Sequence, residues 1–99
     1  MLKIEKKSED NKIIYKLEGR LDTSTSPDLE KEVKYLPEDI GELVFDLEKA
    51  DYISSAGLRV ILAAQKIMTK QGEMKVINVN DTIMEIFEVT GFTDILTIE

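Results

Sequence analysis

Leu43-Val44-Phe45-Asp46-Leu47 is a compact apolar run of the kind that forms an interior strand covered on both sides. A second strand-like run, Met74-Lys75-Val76-Ile77-Asn78-Val79, follows the longest helical stretch, Leu58 to Lys70, which Gly72 ends. Two interior strands separated by a helix cannot be joined by a tight turn, so the connection is a right-handed crossover and the two strands run parallel.

The flanking segments extend this pattern. Leu2-Lys3-Ile4-Glu5-Lys6 and Ile13-Ile14-Tyr15-Lys16-Leu17 are two β-like runs separated by the polar stretch Ser8 to Lys12, and they read as an antiparallel hairpin turning at Asp10-Asn11. Gly19 is expected to break the second run. Asp22-Thr23-Ser24-Thr25 then forms a polar loop, Ser26 is placed to cap a helix, and Pro27 occupies its first turn. Leu29, Val33 and Leu36 recur at helical spacing, Glu30 and Lys34 are placed to pair on the outer side, and Pro37 stops the segment. Asn80 caps a third helix, with Val79 and Met84 at the positions of a hydrophobic staple, and Gly91 supplies its C-terminal stop. Ile95-Leu96-Thr97-Ile98 reads as a final short strand. The expected order is β-β-α-β-α-β-α-β: an α/β fold with three main helices and a mostly parallel sheet carrying an antiparallel N-terminal edge strand.

A chain of 99 residues has material for one hydrophobic core, so all of these elements share it as one domain over residues 1–99. The absence of cysteine and histidine removes disulfides, thiol nucleophiles, the commonest general base and the commonest zinc ligands. Neither a catalytic site, a metal site nor a cofactor is therefore expected. Twenty acidic against 13 basic residues give a net charge of -7, which disfavours a nucleic-acid backbone as partner and favours a protein. No signal-peptide core and no membrane-length apolar run is present, and the expectation is a cytoplasmic protein without membrane insertion.

On a helical wheel, Val60, Ile61, Ala64, Ile67 and Met68 share a stripe with Gly57, the face that packs on the sheet. Leu58 and Leu62 fall off that stripe, among Arg59, Gln65, Lys66 and Thr69, and Ser55 joins the same outward side. Two pairs of roles are open. Leu58 and Leu62 either stand on an exposed docking face or widen the buried stripe, and Ser55 either presents a free hydroxyl or caps the helix.

Ile53-Ser54-Ser55-Ala56-Gly57-Leu58, preceded by Asp46-Leu47 and Asp51, resembles the signature of the STAS domains of bacterial anti-sigma factor antagonists. Gly19-Arg20-Leu21-Asp22-Thr23 is similar to a loop motif of that family, and Gly91-Phe92 resembles the end of its third helix. Many members carry aspartate at the position of Ser54 and serine or threonine at that of Ala56. The resemblance implies a non-enzymatic transcription regulator whose partner is an anti-sigma factor serine kinase. On this reading the unphosphorylated form sequesters that partner and frees a sigma factor, phosphorylation of Ser55 switches binding off, and a phosphatase restores it. Ser54 is the alternative acceptor. Asp22, Thr23, Ser24, Ser54, Ala56, Gly57, Leu58, Arg59 and Leu62 are the expected partner-binding residues. Two rivals stand beside this reading: a STAS subunit of a stress-signalling or lipid or anion transport complex, and a small hydrolase using Ser54 or Ser55 with Asp22 or Asp51.

Overall fold

A computed structural model describes Met1–Glu99. The element order is β1 (Leu2–Glu9), β2 (Lys12–Leu21), α1 (Ser26–Lys34), β3 (Glu42–Ile53), α2 (Ser55–Gln71), β4 (Glu73–Ile77), α3 (Asp81–Thr90) and a short 3-10 turn, Phe92–Asp94. The four strands form one sheet in the order β1-β2-β3-β4. β1 is antiparallel to β2, and β2, β3 and β4 are mutually parallel. Because each crossover steps one strand in the same direction with the same hand, all three helices lie on one face.

That face holds the core. Tyr15, Leu17, Phe45 and Leu47 from the strands, Leu29 and Val33 from α1, Ile61, Ala64 and Met68 from α2, and Ile83 and Phe87 from α3 belong to one buried cluster. The Tyr15 and Phe45 rings stack at 5.9 Å, and the Tyr15 hydroxyl donates to Glu32 at 3.2 Å. Burial first, then the charge and hydrogen bond of Glu32, push the Tyr15 phenol well above its ordinary pKa. It therefore stays a neutral donor.

Leu43–Leu47 are all buried, as their run predicts, but the second side is not roofed by helices. Strand alternation turns Val44 and Asp46 to the opposite face. There Val44 lies in register between Ile14 and Lys75, and neighbouring ion pairs link Lys12 to Glu42 at 3.9 Å, Lys75 to Glu42 at 3.8 Å and Lys75 to Glu99 at 3.8 Å. Long charged side chains lay their aliphatic stems over apolar neighbours and so exclude water without a second helical layer.

Several local expectations are corrected. The hairpin strands extend through most of Ser8–Lys12, leaving a two-residue turn in which Asp10 takes φ 44°. Gly19 does not end β2 but sits within it at φ 101°, beside a register irregularity where β3 carries an extra residue. Ser26 does not cap α1: the N-cap is Thr25, and the Ser26 hydroxyl donates to the Asp22 carbonyl at 2.5 Å. The expected Glu30–Lys34 pair is not formed. β4 stops at Ile77 because Asn78 turns left-handed, at φ 57°, and sends its amide to Asp46 Oδ1 at 3.0 Å. The final strand is reduced to a single parallel bridge between Val76 and Ile98, since Leu96 turns into the core and only the last residues reach β4. By contrast, Asn80 caps α3 through Ile83 N at 2.9 Å, and Gly91 closes it at φ 81°.

Gly72 ends α2 by close approach and not by left-handed backbone, since its φ is 171°. A β-carbon there would overlap the Gly41 carbonyl, and Glu73 N donates to that same oxygen at 3.0 Å. Gly72→Ala is accordingly expected to lower stability by about 1–3 kcal/mol in urea unfolding, because the obstructing atom is backbone.

Candidate functional site

The C-terminal ends of β2 and β3 meet at the Leu21–Ile53 pair, and the chain crosses from there directly into α2. Ser54 N donates to the Leu21 carbonyl at 2.9 Å, so the residue that opens the helix is pinned to the neighbouring strand. Ser54 is extended, at φ -89° and ψ 176°, and its hydroxyl accepts from Gly57 N at 3.4 Å. These are the marks of an N-cap. The capping role considered for Ser55 thus belongs to Ser54. Ser55 is the first residue of α2, and its side chain is exposed.

Gly57 explains why the motif demands a glycine three residues into this turn. A β-carbon at Gly57 would lie 2.7 Å from Leu21 Cγ, 2.9 Å from the Leu21 carbonyl oxygen and 3.0 Å from Ile53 Cγ2. Only the missing side chain lets α2 seat its first turn against the two strand ends.

The Asp22–Thr25 loop stands beside this turn and is organised by one carboxylate. Asp22 Oδ1 accepts from Ser24 N at 3.0 Å, from Ser24 Oγ at 2.8 Å and from Thr25 N at 3.1 Å. Thr25 Oγ1 accepts from Asp22 N at 2.8 Å and donates to the Arg20 carbonyl at 2.7 Å. On the other side, Asp22 Oδ2 lies 3.6 Å from Arg20 Nε, and the Arg20 guanidinium lies 4.6 Å from the centre of the Tyr52 ring. The Ser24 hydroxyl, reinforced by the amides of Thr25 and Ser24, outweighs partial desolvation and lowers the Asp22 pKa to about 2.

Loop and helix enclose a shallow cleft lined by Thr23, Ser26, Pro27 and Glu30 on one side and Ala56, Arg59 and Val60 on the other. The structure therefore brings Thr23, Ala56 and Arg59 together, with Asp22 and Ser24 in the same loop and Ser55 at the helix start. Leu58 does not belong to an exposed face. It is buried within the core cluster, and Leu62 is half-buried. The reason is that α2 lies over β3 and β4 with α1 at its flank, so its apolar arc is wider than a sheet-facing stripe alone. Arg20, Thr25 and Tyr52 are participants that reading the sequence missed: Thr25 joins through local bonds to Asp22 and Arg20, while Arg20 and Tyr52 meet through the parallel register that sets them opposite each other. No group of three His, Cys, Asp or Glu side chains is placed to hold a metal ion. No helix is long and apolar enough to cross a membrane.

Residues 3–99 match the STAS domain family. This chain belongs to that family. Over 92 residues it is 37% identical to BtrV of Bordetella bronchiseptica, an alignment covering 90% of this chain and 78% of that protein. To the anti-sigma-B factor antagonist of Bacillus subtilis it is 29% identical over 98 residues, covering 98% of this chain and 90% of that protein. Its fold matches the Bacillus protein SpoIIAA in both recorded forms. The unphosphorylated form of that anti-sigma factor antagonist superposes with TM-score 0.83 at 13% identity over 98% of this chain and 88% of that one. The phosphorylated form superposes with TM-score 0.75 at 14% identity over 100% and 91%. In this STAS domain residues 53–58 span the β3–α2 junction, with Ser54 as the cap, Ser55 exposed and Gly57 against the ends of both strands.

Gly57→Ala is expected to destabilise this STAS domain by about 1–3 kcal/mol in urea titration, because the added methyl meets backbone as well as side chain. Asp22 supplies a pH signature. With its folded pKa near 2 and an unfolded value of about 3.9, its contribution is complete above about pH 5 and disappears as pH falls through the folded value. The stability difference between the native chain and Asp22→Asn is therefore expected to be constant at neutral pH and to shrink between about pH 4 and pH 2; a difference independent of pH would contradict the Asp22 assignment.

Proposed function

We propose that this STAS domain is an anti-sigma factor antagonist switched by phosphorylation of Ser55. Unphosphorylated, it binds an anti-sigma factor that is also a serine kinase and so frees a sigma factor. Modified, it releases that partner until a phosphatase removes the phosphate. It carries out no chemistry of its own and acts in the cytoplasm.

The observation that carries this reading is the division of labour between two adjacent serines. Ser54 is engaged as the N-cap, whereas Ser55 is exposed at the first helical position. A phosphate there meets the free amides of the first turn and the positive end of the helix dipole, worth about 0.3–2 kcal/mol in favour of the anion. The other two long helices already carry an acidic residue in the first turn, Asp28 in α1 and Asp81 in α3, whereas α2 has none. Added charge of about -1.5 to -2 is therefore compatible with folding and falls on a surface shared with Asp22, Thr23, Ser24 and Arg59. For a partner that packs against this surface, the charge must be desolvated or newly paired, and association weakens. The relatives point the same way: one is an anti-sigma-B factor antagonist, and SpoIIAA has structures with and without phosphate.

The partner surface is accordingly drawn from exposed residues beside the cleft and from half-buried Ser54, Ala56 and Leu62, while Leu58 and Gly57 act by supporting it. The test is incubation with ATP and the cognate anti-sigma factor kinase, with the added phosphate mapped by mass spectrometry. Modification is expected at Ser55, with loss of the complex in Ser55→Asp and persistent binding in Ser55→Ala. Phosphate on Ser54, or tight binding by Ser55→Asp, would overturn the proposal.

A further inference from the structure

A second surface lies at the opposite end of α2. Between the last turn of α1 with its following segment and the last two turns of α2 runs a groove lined by Val33, Leu36, Ile67 and Gln71, with Lys34, Lys66, Lys70 and Glu38 also on its walls. Its floor is apolar: Val33 is buried, and half-buried Leu36 and Ile67 pack on the core. One end is held by Gln71, whose side-chain amide donates to the Pro37 and Ile40 carbonyls, each at 2.9 Å. The groove is thus preformed.

Its charge runs against that of the whole molecule. The chain carries -7 overall, yet three exposed lysines gather here against one glutamate, and none of the three takes part in the ion pairs of the fold. Lys66 and Lys70 stand four residues apart on one helix, a spacing at which like charges repel. Tyr35, which follows Lys34 at the end of α1, is 77% exposed. Exposed aromatics are favoured anchors in protein interfaces.

We propose that this groove docks an acidic amphipathic helix of a partner protein, apolar residues on the Val33–Leu36–Ile67 floor and carboxylates against Lys34, Lys66 and Lys70. A groove between two helices accepts a third by ordinary side-chain interdigitation. The apolar floor argues for a peptide and against a small inorganic anion, and the cationic rim selects carboxylates. Ile67 is about 18 Å along α2 from Ser55, given the helical rise of 1.5 Å per residue. Beyond a Debye length, a charge added at Ser55 is largely screened here. This contact is therefore independent of the switch and does not rest on it.

The probe is a fluorescein-labelled peptide of about 14 residues with leucines at helical spacing and glutamates on both flanks. It is titrated with the full chain by fluorescence anisotropy and mapped by amide chemical shifts. Controls are a peptide of the same composition with the periodicity broken and vesicles containing phosphatidylglycerol. Saturable, salt-weakened binding is expected, with shifts confined to Lys34, Leu36, Lys66, Ile67 and Lys70. The double variant Lys66→Glu, Lys70→Glu, verified as folded by circular dichroism, is expected to bind at least about tenfold more weakly, and Lys66→Gln, Lys70→Gln to fall between. Ser55→Asp is expected to bind like the native chain. No saturable binding, equal binding of the broken-period peptide, shifts centred elsewhere, unchanged affinity in the lysine variants, or preference for the vesicles would overturn the proposal.

Discussion

The contact between the first turn of α2 and the ends of β2 and β3 sets the position of everything at the site. It has two parts: the hydrogen bond from Ser54 N to the Leu21 carbonyl, and the absence of a side chain at Gly57 that lets Leu21 and Ile53 come within contact distance. The bond makes the β3–α2 junction direct, without a connecting loop to absorb error. The close approach then determines the direction in which Ser55 leaves the strand edge. A parallel sheet places such junctions at the C-terminal edge of its strands, where consecutive elements deliver short polar segments side by side. The Asp22 loop and the serine turn are neighbours for this reason, although 28 residues of chain separate Thr25 from Ser54.

The Asp22 loop adds rigidity of a different kind. A four-residue polar segment has little apolar area to bury, so its conformation has to come from hydrogen bonds. Asp22 provides them through one carboxylate oxygen that accepts from two backbone amides and a hydroxyl, while the other oxygen faces Arg20. Arg20 in turn covers the Tyr52 ring, tying the loop to the far side of the β2–β3 pair. Each of these contacts is modest at an exposed position. Together they fix the loop through its backbone amides, its hydroxyls and the Arg20 side chain.

Much of this was legible in the residues, and the parts that were not share a cause. The alternation of strand and helix, the Asn80 cap, the left-handed Gly91 and the serine motif depend on neighbours in sequence, where spacing and residue type decide the outcome. Leu58, Gly19, Asn78 and the terminal strand depend on what arrives from elsewhere. Leu58 is drawn inward because α2 is covered on more than its sheet face. Gly19 stays in β2 because β3 holds an extra residue opposite it. Asn78 ends β4 because Asp46 waits across the sheet. The Arg20–Tyr52 contact had no local sign at all, since it follows from a parallel register that includes two irregularities. The serine pair at the helix start was legible, but which of the two caps and which is free is settled by backbone geometry at ψ 176° and the Gly57 amide.

That assignment also settles how one group could act differently on folding and on association. Folding reads a charge on Ser55 through the amides and dipole of α2, which are fixed in place by the strand contact and favour an anion. Association reads the same charge through whatever the partner lays over it, and there the cost is desolvation, which grows with how well the surfaces fit. The two effects need not share sign because they involve different atoms. Ser54 Oγ is already the acceptor for Gly57 N, so a phosphate on Ser54 would have to take over that hydrogen bond, whereas one on Ser55 leaves it in place. On the proposed reading the cap and the switch are separate residues, Ser54 for the first and Ser55 for the second.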